Sequence, residues 1–249
     1  MAKFKFVKIS RNKKIRCLLN NVQGDIYVVF LHGFKSDLEG DKPKALFKFC
    51  KENKIGFLAL EYSGHGKSYG KFEDGTISSW TKDAENIIRK KIKQKKLILV
   101  GSSMGGWIGL NLFRSFKKNI QAFIGIAPAP EFLDRLMWKN FTKKVKRQLI
   151  NEKFYSFNHS GFEYNISYNL IKDGKKNKIL SRNFKDKIFL TILHGKKDDV
   201  VPISISKKII KIFKNAEKKL IIIKNGDHSL SKKNNLKRLT KEIFNIYNK

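Results

Sequence analysis

Apolar residues fall along the chain in two rhythms. One is the short continuous run: residues 26–31 (IYVVFL), 56–62 (GFLALEY), 96–101 (KLILVG), 121–127, 188–195 (IFLTILHG) and 218–224 (KKLIIIK) are bounded by turn-forming or charged residues. A run of this kind fits a strand buried on both faces, as in a parallel sheet. The other rhythm is helical. Apolar spacings of three and four predict helices over 42–53, 78–94, 104–117, 203–214 and 232–247, the third carrying Ile108, Leu112 and Phe116 on one face. The N-terminal MAKFKFVKIS alternates apolar with charged residues, and segments 4–9 and 15–19 predict an opening antiparallel pair. Strands alternating with helices define an α/β chain with a mostly parallel eight-stranded sheet and helices on both faces.

About 60 residues separate the strands at 121–127 and 188–195, more than a single helical crossover needs. Residues 129–184 are therefore expected to form a cap inserted above the carboxyl edge of the sheet, within one domain spanning 1–249. Phe132, Leu133, Leu136, Met137, Trp138 and Phe141 make an amphipathic stretch in this insertion. Packing on the sheet is the reading for most of them, with Trp138 expected to line an acyl pocket. Trp107 is read as core.

Composition removes several classes of function. No apolar run approaches the roughly 18 residues of a spanning helix. The first residues, MAKFKFVKIS, lack the apolar stretch of a secretory signal, so a cytoplasmic location is expected. Cys17 and Cys50 are too few for a disulfide framework and lack metal-ligand spacing; no metal or organic cofactor is expected. The formal net charge of +33 could attract polyanions. Its bases, however, are spread along the whole chain, and 46 of 54 are Lys, whereas phosphate readers favour the bidentate Arg fork. Abundant Lys, Asn, Ile and Phe together fit an AT-rich coding sequence, so the charge is read as compositional and nucleic acid is not expected as a partner.

Chemistry concentrates where strands end. Gly101-Ser102-Ser103-Met104-Gly105 has the form G-x-S-x-G between the apolar run KLILV and an amphipathic helix. The small flanking residues allow a sharp turn that lifts a serine hydroxyl clear of the sheet, and Ser103 is the candidate nucleophile. Such a serine needs a base, and the base an orienting acid, in the chain order Ser, Asp or Glu, His. His194-Gly195-Lys196-Lys197-Asp198-Asp199 follows one strand and Gly226-Asp227-His228 the next. Asp198 is taken as the acid and His228 as the base; only one of Asp198 and Asp199 can face the histidine. The backbone N–H groups of Met104 and of Phe34, in Leu31-His32-Gly33-Phe34, are the candidate oxyanion donors. His32 is expected to border the site as a substrate-binding residue. His65, His159 and His194 are expected to have structural or binding roles and not to be catalytic.

With these residues in place, the chain resembles the alpha/beta-hydrolase superfamily over 26–249. LHGFKSDLEGDKPKAL (31–46), FLALEYSGHGKSYGKFEDGTISSW (57–80) and LVGSSMGGWIGL (99–110) are similar to the branch that holds bacterial hydrolases and a mitochondrial palmitoyl-protein thioesterase and acyl-glucuronide esterase. This resemblance implies an alpha/beta-hydrolase fold and hydrolysis of a small acyl ester or thioester, or of an acylated protein, through Ser103, Asp198 and His228. A peptidase using the same triad and a non-catalytic basic protein binding nucleic acid or an anionic membrane are the alternatives.

Overall fold

The computed structural model describes residues 4–20, 22, 24–159 and 162–249. Its main sheet takes β1 (Phe4–Ser10), β2 (Lys13–Leu19), β3 (Ile26–Leu31), β4 (Gly56–Leu60), β5 (Lys96–Ser102), β6 (Ile120–Ile126), β9 (Phe189–Gly195) and β10 (Glu217–Ile223). Between β6 and β9 lie β7 (Phe154–His159) and β8 (Phe162–Ser167), which pair antiparallel as a separate two-stranded sheet. The helices are α1 (Asp41–Glu52), α2 (Ile77–Ile92), α3 (Met104–Phe116), α4 (Lys143–Glu152), α5 (Tyr168–Lys176), α6 (Ile203–Ile212) and α7 (Lys233–Tyr247).

Strand order in the main sheet is β1-β2-β4-β3-β5-β6-β9-β10, with β2 antiparallel to β1 and β4 and every later pairing parallel. The alternation of side chains across the pleat explains the unbroken apolar runs. Val29, Leu31, Leu97 and Leu99 enter a core beneath α2, α3 and α6, while Val28, Phe30, Ile98 and Val100 enter the core beneath α1 and α7. Cys17 lies in the first core and Cys50 in the second, and burial pushes both thiols up to about 12. The sheet stands between them.

β4 is two residues shorter than the apolar run suggests. Glu61 turns its carboxylate into a fully buried position, where it accepts from Arg16 Nη1 at 2.9 Å and from the Leu38 and Lys67 N–H groups. Three donors, one from β2 and two from loops, thus hold the carboxylate where the strand stops, and Tyr62, Gly64 and His65 continue as a turn.

The segment between β6 and β9 opens with a π-helical turn at Leu133–Met137 and a 3-10 turn at Trp138–Asn140. It shares a core with the sheet: Leu133, Leu149, Ile166, Leu170 and Ile171 pack in the cluster that holds Trp107. Polar ties reinforce this contact. The Trp107 indole donates to the Asn177 carbonyl at 2.9 Å, and Asp173 accepts from both the N–H and the hydroxyl of Ser78 at the start of α2. Among the described residues, no helix is long and apolar enough to cross a membrane.

Candidate active site

The chain order turns back at β3: β4 is placed on one side of it and β5 on the other. A switch of this kind opens a crevice at the carboxyl ends of the strands, and the candidate residues collect there. Ser103 leaves β5 with φ 52° and ψ −119°, a conformation that L-residues avoid. Gly105 makes the elbow possible. A Cβ on it would lie 2.0 Å from the Leu31 carbonyl oxygen, so any side chain would drive α3 away from β3. Met104 is the first residue of α3, and its N–H belongs to the opening turn, where no carbonyl one turn back can accept it.

Asp198 sits on the loop after β9 with its side chain wholly buried. Oδ1 accepts the Val200 and Val201 N–H groups at 2.9 and 2.8 Å; Oδ2 faces His228 Nδ1 at 2.9 Å and His194 Nε2 at 3.1 Å. Burial works to raise the carboxyl pKa. The bonds from His194, His228 and Val201, with the charge of His228, outweigh it and hold the group well below the usual carboxylate range. Asp199 is exposed.

His228 follows β10, and its Nε2 lies 3.1 Å from Ser103 Oγ. A carboxylate can only accept, so Nδ1 carries the proton toward Asp198 and Nε2 presents its lone pair to the serine hydroxyl. The histidine loop is pinned on both sides. Asp227 Oδ1 accepts the Leu230 N–H at 2.8 Å, while Lys42 of α1 donates to the Ser229 carbonyl at 2.6 Å and to Ser231 Oγ at 2.9 Å. The structure therefore brings Ser103, His228 and Asp198 into one hydrogen-bonded chain.

The loop after β3 abuts the elbow, since a Cβ on Gly33 would come 3.4 Å from Ser103 Cβ. Beside it, the Phe34 ring meets Phe72 and Phe132 edge-on, at 5.0 and 5.3 Å, and stacks on Tyr164 of β8 at 6.0 Å. The insertion after β6 thus supplies part of an aromatic wall at the site. Of these partners Phe132 and Phe72 lie in segments singled out in the sequence, whereas Tyr164 of β8 did not stand out.

Two expected contacts take other places. His32 borders the elbow through its backbone, but its ring is fully buried, 4.4 Å from Tyr62 and 5.0 Å from His65. Burial lowers its pKa to about 4; burial together with the neighbouring His32 lowers that of His65 to about 3. Trp138 packs against Tyr168 at 6.1 Å, with Lys175 Nζ 4.3 Å above its ring. His159 ends β7, and its side chain lies outside the described residues. His194 and Lys42, by contrast, contact the acid and the histidine loop directly; the spacing His194-x-x-x-Asp198 is the one sequence signal that pointed to the former. Among the described residues, no three His, Cys, Asp or Glu side chains gather as a metal site.

A mostly parallel sheet with a serine on a strand-to-helix elbow, and an acid and a histidine after its last two strands, defines an alpha/beta hydrolase. Residues 24–184 match the family model Hydrolase_4, described as serine aminopeptidase S33, and the chain belongs to that family. The mitochondrial palmitoyl-protein thioesterase ABHD10 of Bos taurus is 28% identical over 226 residues, which cover 89% of this chain and 73% of the relative. Among solved structures, one described as a hydrolase from Agrobacterium vitis S4 superposes with a TM-score of 0.92 at 27% identity, covering 99% of both chains. The mouse alpha/beta hydrolase domain-containing protein 10 gives a TM-score of 0.88 at 25% identity, again over 99% of each. The chain is a hydrolase related to thioesterases and esterases.

Proposed function

We propose that this hydrolase cleaves acyl esters or thioesters with Ser103 as nucleophile, His228 as base and Asp198 as the orienting acid. The observation that carries the reading is the unbroken path from Ser103 Oγ to His228 Nε2 (3.1 Å) and from His228 Nδ1 to Asp198 Oδ2 (2.9 Å). Oγ attacks the acyl carbon as Nε2 takes its proton, and Asp198 stabilises the imidazolium. The N–H groups of Phe34 and Met104 receive the oxyanion. His228 then protonates the departing alcohol or thiol, leaving an acyl-serine. Water attacks this ester, passes a proton to His228, and frees the acid and Ser103.

The segment 129–184 acts as a cap on the same domain, and the rings of Phe34, Phe72, Phe132 and Tyr164 give the acyl group an apolar wall. Two unpaired thiols on opposite faces of the sheet suit a reducing compartment, and we assign the enzyme to the cytoplasm. The family description favours a second reading, a peptidase on the same triad, because amides pass through the same tetrahedral intermediate.

Purified protein offered p-nitrophenyl esters of graded chain length, acyl thioesters and aminoacyl amides separates these readings. Turnover of esters and thioesters that is absent in Ser103→Ala is the expected result. Turnover of amides alone would replace the reading with the peptidase. No turnover at all, with salt-sensitive binding of polyanions, would replace it with a basic binding protein.

A further inference from the structure

Asp198 has two histidine partners, and the proposed mechanism uses one of them. His194, the penultimate residue of β9, is fully buried. Its Nε2 lies 3.1 Å from Asp198 Oδ2 and 2.9 Å from the Val201 carbonyl oxygen. Both are acceptors, so Nε2 carries a proton. Its Nδ1 lies 2.7 Å from Ser206 Oγ of α6, a hydroxyl that is itself fully buried and can donate to that nitrogen. A chain from Ser206 through His194 thus ends on the same carboxylate oxygen that holds the catalytic histidine.

We propose that His194 is a positioning residue that fixes the Asp198 carboxylate and sets its proton affinity, and through it the basicity of His228. The inference rests on the acyl-hydrolase reading above. Its physical basis is the arrangement of donors. Asp198 Oδ1 is filled by two backbone N–H groups, while Oδ2 takes the His228 N–H and lies 3.1 Å from His194 Nε2, whose single N–H is shared with the Val201 carbonyl, so both carboxylate oxygens are held. These contacts restrain the carboxylate from rotating away from His228. The His194 bond also withdraws electron density from Oδ2, so that Asp198 pulls less strongly on the His228 Nδ1 proton. The groups facing this centre are few: His194 from β9 and His228 from the loop after β10 meet Asp198, Ser103 meets His228, and Ser206 and the Val201 carbonyl meet His194. Asp227 lies next to His228 in the chain, with one carboxylate oxygen taken by the Leu230 N–H.

Three variants test this: His194→Leu removes the contacts of both ring nitrogens, His194→Gln keeps an amide N–H near the position of Nε2, and Ser206→Ala removes the hydroxyl behind the ring. Each is read by kcat and KM on a short p-nitrophenyl ester across pH, and by NMR titration of the His228 ring, which needs no turnover. His194→Leu should lower kcat about ten- to hundredfold with KM nearly unchanged. Its acid limb and the His228 midpoint should both move up by about half a pH unit, because Asp198 becomes the stronger acceptor. His194→Gln should restore both quantities most of the way. Ser206→Ala, the variant that serves if His194→Leu does not fold, should shift the midpoint in the same direction by less.

An unmoved His228 midpoint in His194→Leu, or in Ser206→Ala when the former is unfolded, would overturn the proposal, as would His194→Gln behaving like His194→Leu. Because the NMR arm is independent of catalysis, a wild-type protein without esterase activity would sink the functional reading while the His194 coupling is still measured. Wild-type activity with no response to His194 would sink the coupling alone.

Discussion

Ser103 donates its backbone N–H to the Ile126 carbonyl at 2.9 Å while holding a φ of 52°. Its own carbonyl accepts from Gly106 at 2.9 Å and Ala129 at 3.0 Å, so β6, α3 and the start of the insertion all hold the strained residue in place. A non-glycine residue in such a conformation costs on the order of 1–3 kcal/mol and persists only when its surroundings over-determine it. The strain aims Oγ at His228, which links the backbone geometry to the chemistry.

Glycine relieves that strain, so Ser103→Gly is expected to stabilise the fold by about 1 kcal/mol relative to Ser103→Ala, roughly 2–4 °C in Tm. Both variants should lose about a thousandfold or more of ester turnover. Thermal unfolding of the two side by side checks the first point; a glycine variant no more stable than the alanine one would contradict the strain account.

Low pH should weaken the fold well before its carboxylates titrate. His32 and His65 are buried, and their folded values of about 4 and about 3 lie below the ordinary histidine value of 6.5. The unfolded chain therefore takes up protons first as pH falls. Stability is full above about 6.5 and declines by about 1.4 kcal/mol per pH unit for each residue until the folded values are reached. Urea midpoints between pH 7 and 5 should show this slope, and His65→Phe should make it shallower. An unchanged slope in that variant would show that His65 is protonated in the folded state.

Glu131 is buried at φ 62°, where Oε1 accepts the Ile179 and Leu180 N–H groups at 2.9 and 2.8 Å and Oε2 accepts Arg135 Nε at 2.7 Å. One carboxylate thus ties the two ends of the insertion together. Glu131→Ala strands these donors and should cost about 2–4 kcal/mol; Glu131→Gln keeps an acceptor oxygen and should cost about half as much. Equal losses in chemical denaturation would show that the donors find other partners.

The sheet was largely legible because burial on both faces leaves an unbroken apolar run, as at Ile26–Leu31, where alternate residues enter opposite cores. The elbow was legible because Gly101, Ser103 and Gly105 fall in one five-residue pattern, although the close approach that Gly105 permits is to Leu31 of β3. The insertion was not. Its β7–β8 pair carries mixed aromatic and polar residues, and its helices bury few side chains each, so neither period stands out. Trp138 illustrates the same limit: aromatic content marks it as apolar, but only the fold brings Lys146 and Lys175 over its ring. His32 looked available because it ends a strand beside the site. Its burial depends on Tyr62 and His65, some thirty residues away in sequence.

The central claim is that Ser103 is an activated nucleophile. Treating the folded protein with a fluorophosphonate and locating the adduct by peptide mass spectrometry tests it most directly. The account predicts a single adduct on Ser103, abolished in Ser103→Ala and formed far more slowly in His228→Ala. An unlabelled Ser103 in folded protein, or labelling at a rate indifferent to His228, would contradict it.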